Sequence, residues 1–259
     1  MLDTVSAIDG VATYTFDYTK HASQWVTDQA IGPALARSIR CLARALDHKV
    51  TVVAHSMGGL ATRLAQGQVL NGHAVADSLG RVVTIGTPTR GVILLTATTS
   101  GISKRVLQTV VDAAGKLCTK PPKKSRRHLC ALLDAANAPA TSAMTPGSAA
   151  LAALPAWGDG VIVHPIAGDL QLRVSVFGLG TTTSLGDIVA TVGSATADAS
   201  PGQHPLVVKC HTELSNLDNV VDESPCAHGN LTSNRRIIAG VRKQVEKAVR
   251  ADARKRPVA

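Results

Sequence analysis

The chain has 259 residues, 45% of them hydrophobic and 17% charged, enough for one α/β domain with a full core. Aromatic residues make up only 2%, so the stacking platforms of a nucleic-acid binder are missing, and no apolar run reaches the roughly 18 residues of a membrane span. The formal net charge of +9 is clustered over Lys116 to Arg127 and Arg235 to Arg256. Two solvated faces account for those clusters, and attraction to an anionic surface or an acidic ester is the sharper reading.

Residues Met1 to Ile8 read as a helix, and Ala12 to Tyr18 alternates in a β-rich pattern that predicts a strand. Gly32 to Leu46 carries Leu35, Ile39, Leu42 and Leu46 at helical spacing. The β-branched run Val50 to Ala54 then enters His55-Ser56-Met57-Gly58-Gly59, followed by the helical stretch Leu60 to Leu70. A strand, a tight turn and a helix in this order strain the backbone at Ser56 and lift its Oγ clear of the sheet. Helix and strand approach closely there, which calls for small residues two positions before and after the serine, here Ala54 and Gly58. The N–H of Met57, at the helix N-terminus, then points to where an oxyanion would form. The bland alternative is a glycine-rich βα turn in which Ser56 merely caps a helix.

Arg81 to Gly86 is the next predicted strand. From Val92 to Trp157 the pattern shifts to Thr/Ser-rich, Lys/Arg-rich and Ala/Pro-rich pieces, and residues 92–157 are expected to form a lid or cap inserted in a single domain spanning 1–259. Leu154 to Ala167 returns to the core, and Leu172 to Phe177 and Leu206 to Cys210 read as the last two strands, separated by a Gly/Thr-rich loop and Gly186-Asp187-Ile188-Val189. Strands alternating with helices predict an α/β fold with a doubly wound, mostly parallel sheet. His228 lies in a polar loop after the last strand, just before a basic amphipathic helix. An acid after the penultimate strand and a histidine after the last give the order Ser56, Asp187, His228. In that order His228 takes the serine proton, and Asp187 fixes its tautomer and stabilises the imidazolium. Asp159 and Asp169 are rival acids, and His204 and His211 rival bases. His164 reads as a loop residue, and His55 as a structural residue packed under the turn.

Four stretches together resemble the bacterial secreted lipases and esterases of the α/β-hydrolase fold, triacylglycerol lipases among them. They are Ala54-His55-Ser56-Met57-Gly58-Gly59, Thr84-Ile85-Gly86-Thr87-Pro88-Thr89-Arg90-Gly91, Gly186-Asp187-Ile188-Val189 and Cys226-Ala227-His228-Gly229-Asn230-Leu231. The resemblance implies ester or lipid hydrolysis through an acyl-enzyme on Ser56, with no cofactor and no metal. An acyltransferase on the same scaffold, or a hydrolase-fold protein impaired in catalysis, remains open as an alternative. Such lipases carry two or three strands before the one placed at Ala12 to Tyr18, and the third ends in a loop that supplies a second oxyanion donor. Nothing before Ala12 resembles that loop. The expectation is therefore a shortened version of an exported, monomeric enzyme, with Tyr18 to Gln24 as another place from which the donor could come.

Of the five cysteines, Cys118 and Cys130 flank the basic stretch and Cys210 and Cys226 bracket the loop leading to His228, which makes these two pairs, with Cys41 left over, the economical disulfide reading. Disulfides imply export, and five reduced thiols in a cytosolic enzyme are the alternative. No Cys-x-x-Cys or His-x-x-x-His spacing suggests zinc.

Overall fold

A computed structural model describes residues 1–92, 138–176, 179–213 and 224–253. The basic stretch 116–127, Cys118, Cys130 and most of the expected lid lie outside the described residues. Within it, only the short helices α4 (Pro139–Ala143) and α5 (Ala149–Ala152) are described before the chain re-enters the core.

The elements in chain order are α1 (Leu2–Ser6), α2 (Gly32–Leu46), β1 (Val50–His55), α3 (Met57–Gln66), β2 (Val69–Leu70), β3 (His73–Ala74) and β4 (Leu79–Ile85). After α4 and α5 come β5 (Ile162–Val176), β6 (Leu179–Ser184), α6 (Val192–Ala195), β7 (Leu206–Glu213) and α7 (Arg235–Ala253). β1, β4, β5 and β7 are parallel, and β6 folds back antiparallel on the second half of β5. This is the α/β class with a mostly parallel sheet, and helices cover both of its faces.

The layering follows from strand alternation. Val82 and Val163 point to one face, where they meet Leu35 and Ile39 of α2 and Leu60 and Ala61 of α3. Val83, Ile85 and Ile166 point to the other face, toward Val5, Ile237, Val241 and Val245 of α1 and α7. Buried on both sides, these strands are continuous β-branched runs. Pro165 is tolerated inside β5 because Ile166 turns its carbonyl to Gly86 N–H, 2.9 Å away. The missing N–H of Pro165 therefore faces the opposite edge, where pairing with β7 begins only at Ile166.

Three expectations about strands are corrected. Ala12 to Tyr18 forms no strand: it joins no sheet among the described residues, and Ala12, Tyr14, Thr15 and Asp17 are exposed while Phe16 and Tyr18 pack on the core. A period of two marks a half-buried extended segment, and only a partner edge turns it into a strand. The core return and the strand at Leu172 to Phe177 are one 15-residue strand, β5. The Gly/Thr-rich loop after it is β6, its threonines paired with Leu172 to Val174. The sequence reading also passed over the β2–β3 hairpin, turned by Asn71 and Gly72 at φ 52° and 76°.

His164 lies buried in β5 and not in a loop. Arg81 Nη1–H donates to Gln244 Oε1 (2.9 Å), so Gln244 Nε2–H donates to His164 Nε2 (3.2 Å). Burial, followed by the charges of Arg81, Lys247 and Lys243, holds the His164 imidazole below the ordinary histidine range, against an opposing pull from Gln203. The unfolded chain thus takes up a proton that the folded chain resists. The stability tied to neutral His164 is complete above about pH 6.5 and is lost as pH falls below it. Urea midpoints from pH 7 to pH 5 should fall less steeply in His164→Gln than in wild type; equal slopes would dismiss this role.

Candidate active site

β1 ends at His55 and α3 starts at Met57, so a single residue turns the chain. That residue, Ser56, has φ 54° and ψ −133°, a strained conformation for a side chain with a Cβ. Contacts on both sides hold it there. Ser56 N–H donates to Ile85 O (2.9 Å), and Thr87 Oγ1–H donates to Ser56 O (3.0 Å). The crowding differs from the sequence expectation. A Cβ on Gly58 would stand in ordinary contact with Ala54 Cβ at 3.7 Å, whereas one on Gly59 would collide with the Thr87 side chain. The residue that must be glycine for close packing is therefore Gly59. Met57 N–H belongs to the first turn of α3 and lacks an intrahelical partner, so it is available to an oxyanion.

Asp187 sits in a tight turn after β6. Gly186 (φ 60°) and Ile188 (φ 80°) both take positive φ, and Asp187 Oδ1 accepts from the N–H groups of Val189 (3.0 Å) and Ala190 (2.6 Å). Its other oxygen, Oδ2, accepts from His228 Nδ1 at 2.8 Å. His228 Nε2 lies 2.7 Å from Ser56 Oγ. Asp187 is fully buried and His228 nearly so. The backbone is tied in as well, with His228 N–H donating to Asp187 O (2.9 Å). The structure thus brings Ser56, His228 and Asp187 into one hydrogen-bonded chain, with Met57 N–H beside it.

No family model and no curated protein matches this chain. Among solved structures it is similar to the mature lipase BlEst2 of Bacillus licheniformis, at 16% identity and a TM-score of 0.39, over 85% of this chain and 75% of that one. It is also similar to phospholipase PlaB of Legionella pneumophila in complex with thio-NAD, at 11% identity and a TM-score of 0.34, over 96% of this chain and 56% of that one. The chemistry of the site rests on its own geometry.

The rival residues fall elsewhere. Asp159 is exposed before β5 begins. Asp169 is buried within β5, where Ser184 Oγ–H (2.5 Å) and Gln171 Nε2–H (3.1 Å) occupy its carboxylate. His204 and His211 are exposed. Among the described residues no cluster of His, Cys, Asp or Glu could hold a metal, and no helix is long and apolar enough to cross a membrane.

Two contributors escaped the sequence reading. His55 does more than pack under the turn: its Nε2–H donates to His228 O (3.0 Å), and the two rings lie 4.6 Å apart. Gly86 is the second. A Cβ there would stand 2.6 Å from Asp187 Oδ2 and 3.3 Å from His228 Nδ1, in the space where the two side chains meet. The signal was present in Thr84-Ile85-Gly86-Thr87-Pro88, a glycine at a strand end next to the turn residue Thr87. The Cys210–Cys226 disulfide joins β7 to the loop that carries His228.

Proposed function

We propose that this chain is a serine carboxylic-ester hydrolase of lipase or esterase type, acting through an acyl-enzyme on Ser56. The observation that carries the reading is the unbroken relay from Ser56 Oγ to His228 Nε2 (2.7 Å) and from His228 Nδ1 to Asp187 Oδ2 (2.8 Å), with the serine held at positive φ on the tip of β1. His228 accepts the serine proton as Oγ adds to the ester carbonyl carbon, and the carbonyl electron pair moves onto oxygen beside Met57 N–H. When the intermediate collapses, the alcohol leaves with the proton from His228 and the acyl group stays on Ser56. Water, deprotonated by the same histidine, then releases the acid. Asp187, with one oxygen fixed by two backbone N–H groups, keeps Nδ1 protonated and Nε2 open as the acceptor. No step calls for a metal or cofactor. The disulfide supports an exported enzyme, and the net charge of +9 favours ester substrates presented at an anionic or lipid surface.

The purified chain should release p-nitrophenol from p-nitrophenyl butyrate and lose that activity on stoichiometric phosphonylation at Ser56, located by peptide mass spectrometry. A rate equal to buffer alone, or a phosphonate found on another residue, would reject the assignment.

A further inference from the structure

Ester hydrolysis on this scaffold needs more than one hydrogen bond to the developing oxyanion, and the backbone of the turn offers Met57 N–H. A side-chain hydroxyl lies near the same turn. The hydroxyl oxygen of Tyr18 lies 3.6 Å from where a Cβ on Gly58 would be, one residue beyond Met57 in the first turn of α3. Among the described residues this hydroxyl has no hydrogen-bond partner. It is not sealed away as a buried orphan either, since the buried polar atoms without partners are Arg81 Nε and His164 Nδ1. The phenol thus lies beside the first turn of α3 with its donor unused among the described residues.

Its placement is built. Phe16 and Tyr18 pack against the core cluster that contains Met57 and Leu60, with their rings 6.1 Å apart. The turn after Tyr18 is closed by His21 N–H on Tyr18 O (2.8 Å) and by Asp17 Oδ1, which accepts from Thr19 N–H (2.8 Å) and Thr19 Oγ1–H (2.5 Å). The neighbouring Asp17 carboxylate is thereby committed to Thr19. Burial also pushes the Tyr18 phenol above its ordinary pKa, which keeps it an O–H donor across the working range.

We propose that Tyr18 is a catalytic residue whose phenol O–H, together with Met57 N–H, donates to the oxyanion formed when Ser56 adds to the ester carbonyl. The inference rests on Ser56 being the nucleophile. As the C=O π pair moves to oxygen, Tyr18 stabilises the charge and keeps its own proton. When the pair returns and the C–O bond to the leaving alcohol breaks, the proton for that alcohol comes from His228. A side-chain donor here gives the corrected segment 12–18 a purpose: a chain unpaired in any described sheet carries the phenol to the first turn of α3.

The test is Tyr18→Phe in the full chain, which removes one oxygen and keeps the packing. With p-nitrophenyl butyrate, kcat should fall about 100-fold with KM within twofold, as for loss of one oxyanion donor. Affinity for phenylboronic acid, which forms a tetrahedral adduct on the serine, should weaken at least tenfold, and the melting temperature should stay within about 3 °C of wild type. A kcat within threefold of wild type, an equal rise in KM, unchanged boronate affinity or a larger loss of melting temperature would each overturn the role of Tyr18 while leaving the hydrolase reading standing. A wild-type chain that releases no product would overturn both.

Discussion

Ser56→Ala and His228→Ala are each expected to lower kcat for a p-nitrophenyl ester by about 10⁶-fold and Asp187→Asn by about 10⁴-fold, while the double variant Ser56→Ala/His228→Ala falls no further than either single one. The lack of additivity follows from a relay in which each member works only through the next. The aspartate case follows from how its two oxygens are used. Oδ1 is pinned by Val189 and Ala190 N–H, so an asparagine keeps its carbonyl oxygen there and turns its NH₂ toward His228 Nδ1. Two donors cannot face one another. The imidazole answers by moving its proton to Nε2, and Nε2 then has no lone pair for the Ser56 proton. The loss should appear in kcat, with KM nearly unchanged. Asp169→Asn is the comparison: if it abolishes turnover and Asp187→Asn keeps more than a tenth of it, the acid has been misassigned.

The second large effect is on stability. The Cys210–Cys226 bridge closes a sequence separation of 16 residues. Constraining the unfolded chain over that length contributes about 3 kcal/mol. Cys210→Ala/Cys226→Ala should therefore lower the melting temperature by about 6 to 12 °C and move the urea midpoint to match. Turnover at 25 °C should survive within about threefold, because other bonds hold the loop. Asn234 Nδ2–H donates to Pro225 O (2.8 Å) and Asn230 Nδ2–H to Ser224 O (3.0 Å), while Asp187 O accepts from the His228 N–H and His55 Nε2–H donates to the His228 carbonyl. An unchanged urea midpoint, with and without reductant, would show that the bridge adds nothing.

The parts of this molecule that were legible in its sequence are those in which the signal is local. Helix α2 was read at its observed limits because apolar residues recur along one face. The serine turn was legible because β-branched residues run directly into small ones. Pairing is not local. Ala12 to Tyr18 has the alternation of a strand without an edge to join, and the threonines of β6 resemble loop until the second half of β5 is set against them. The chain order Ser56, Asp187, His228 could be read, but the grip of His55 on His228 O could not, since a contact across 173 residues leaves no mark on either neighbourhood. Glycine roles were half legible: the sequence assigned the crowding to Gly58, and only the position of Thr87 moves it to Gly59.

The junction at His228 also sets when this chemistry can begin. The serine turn is held by contacts no more than 31 residues away, while its proposed base is 172 residues away and meets the proposed acid 41 residues before it. Closing loops of that length is slow compared with forming a strand–turn–helix. On the proposed mechanism the nascent chain presents Ser56 long before the proposed base, and it stays catalytically silent until the segment around His228 has docked. In refolding, the return of ester turnover reports completion of the last long-range contact, and it should trail the return of helical signal.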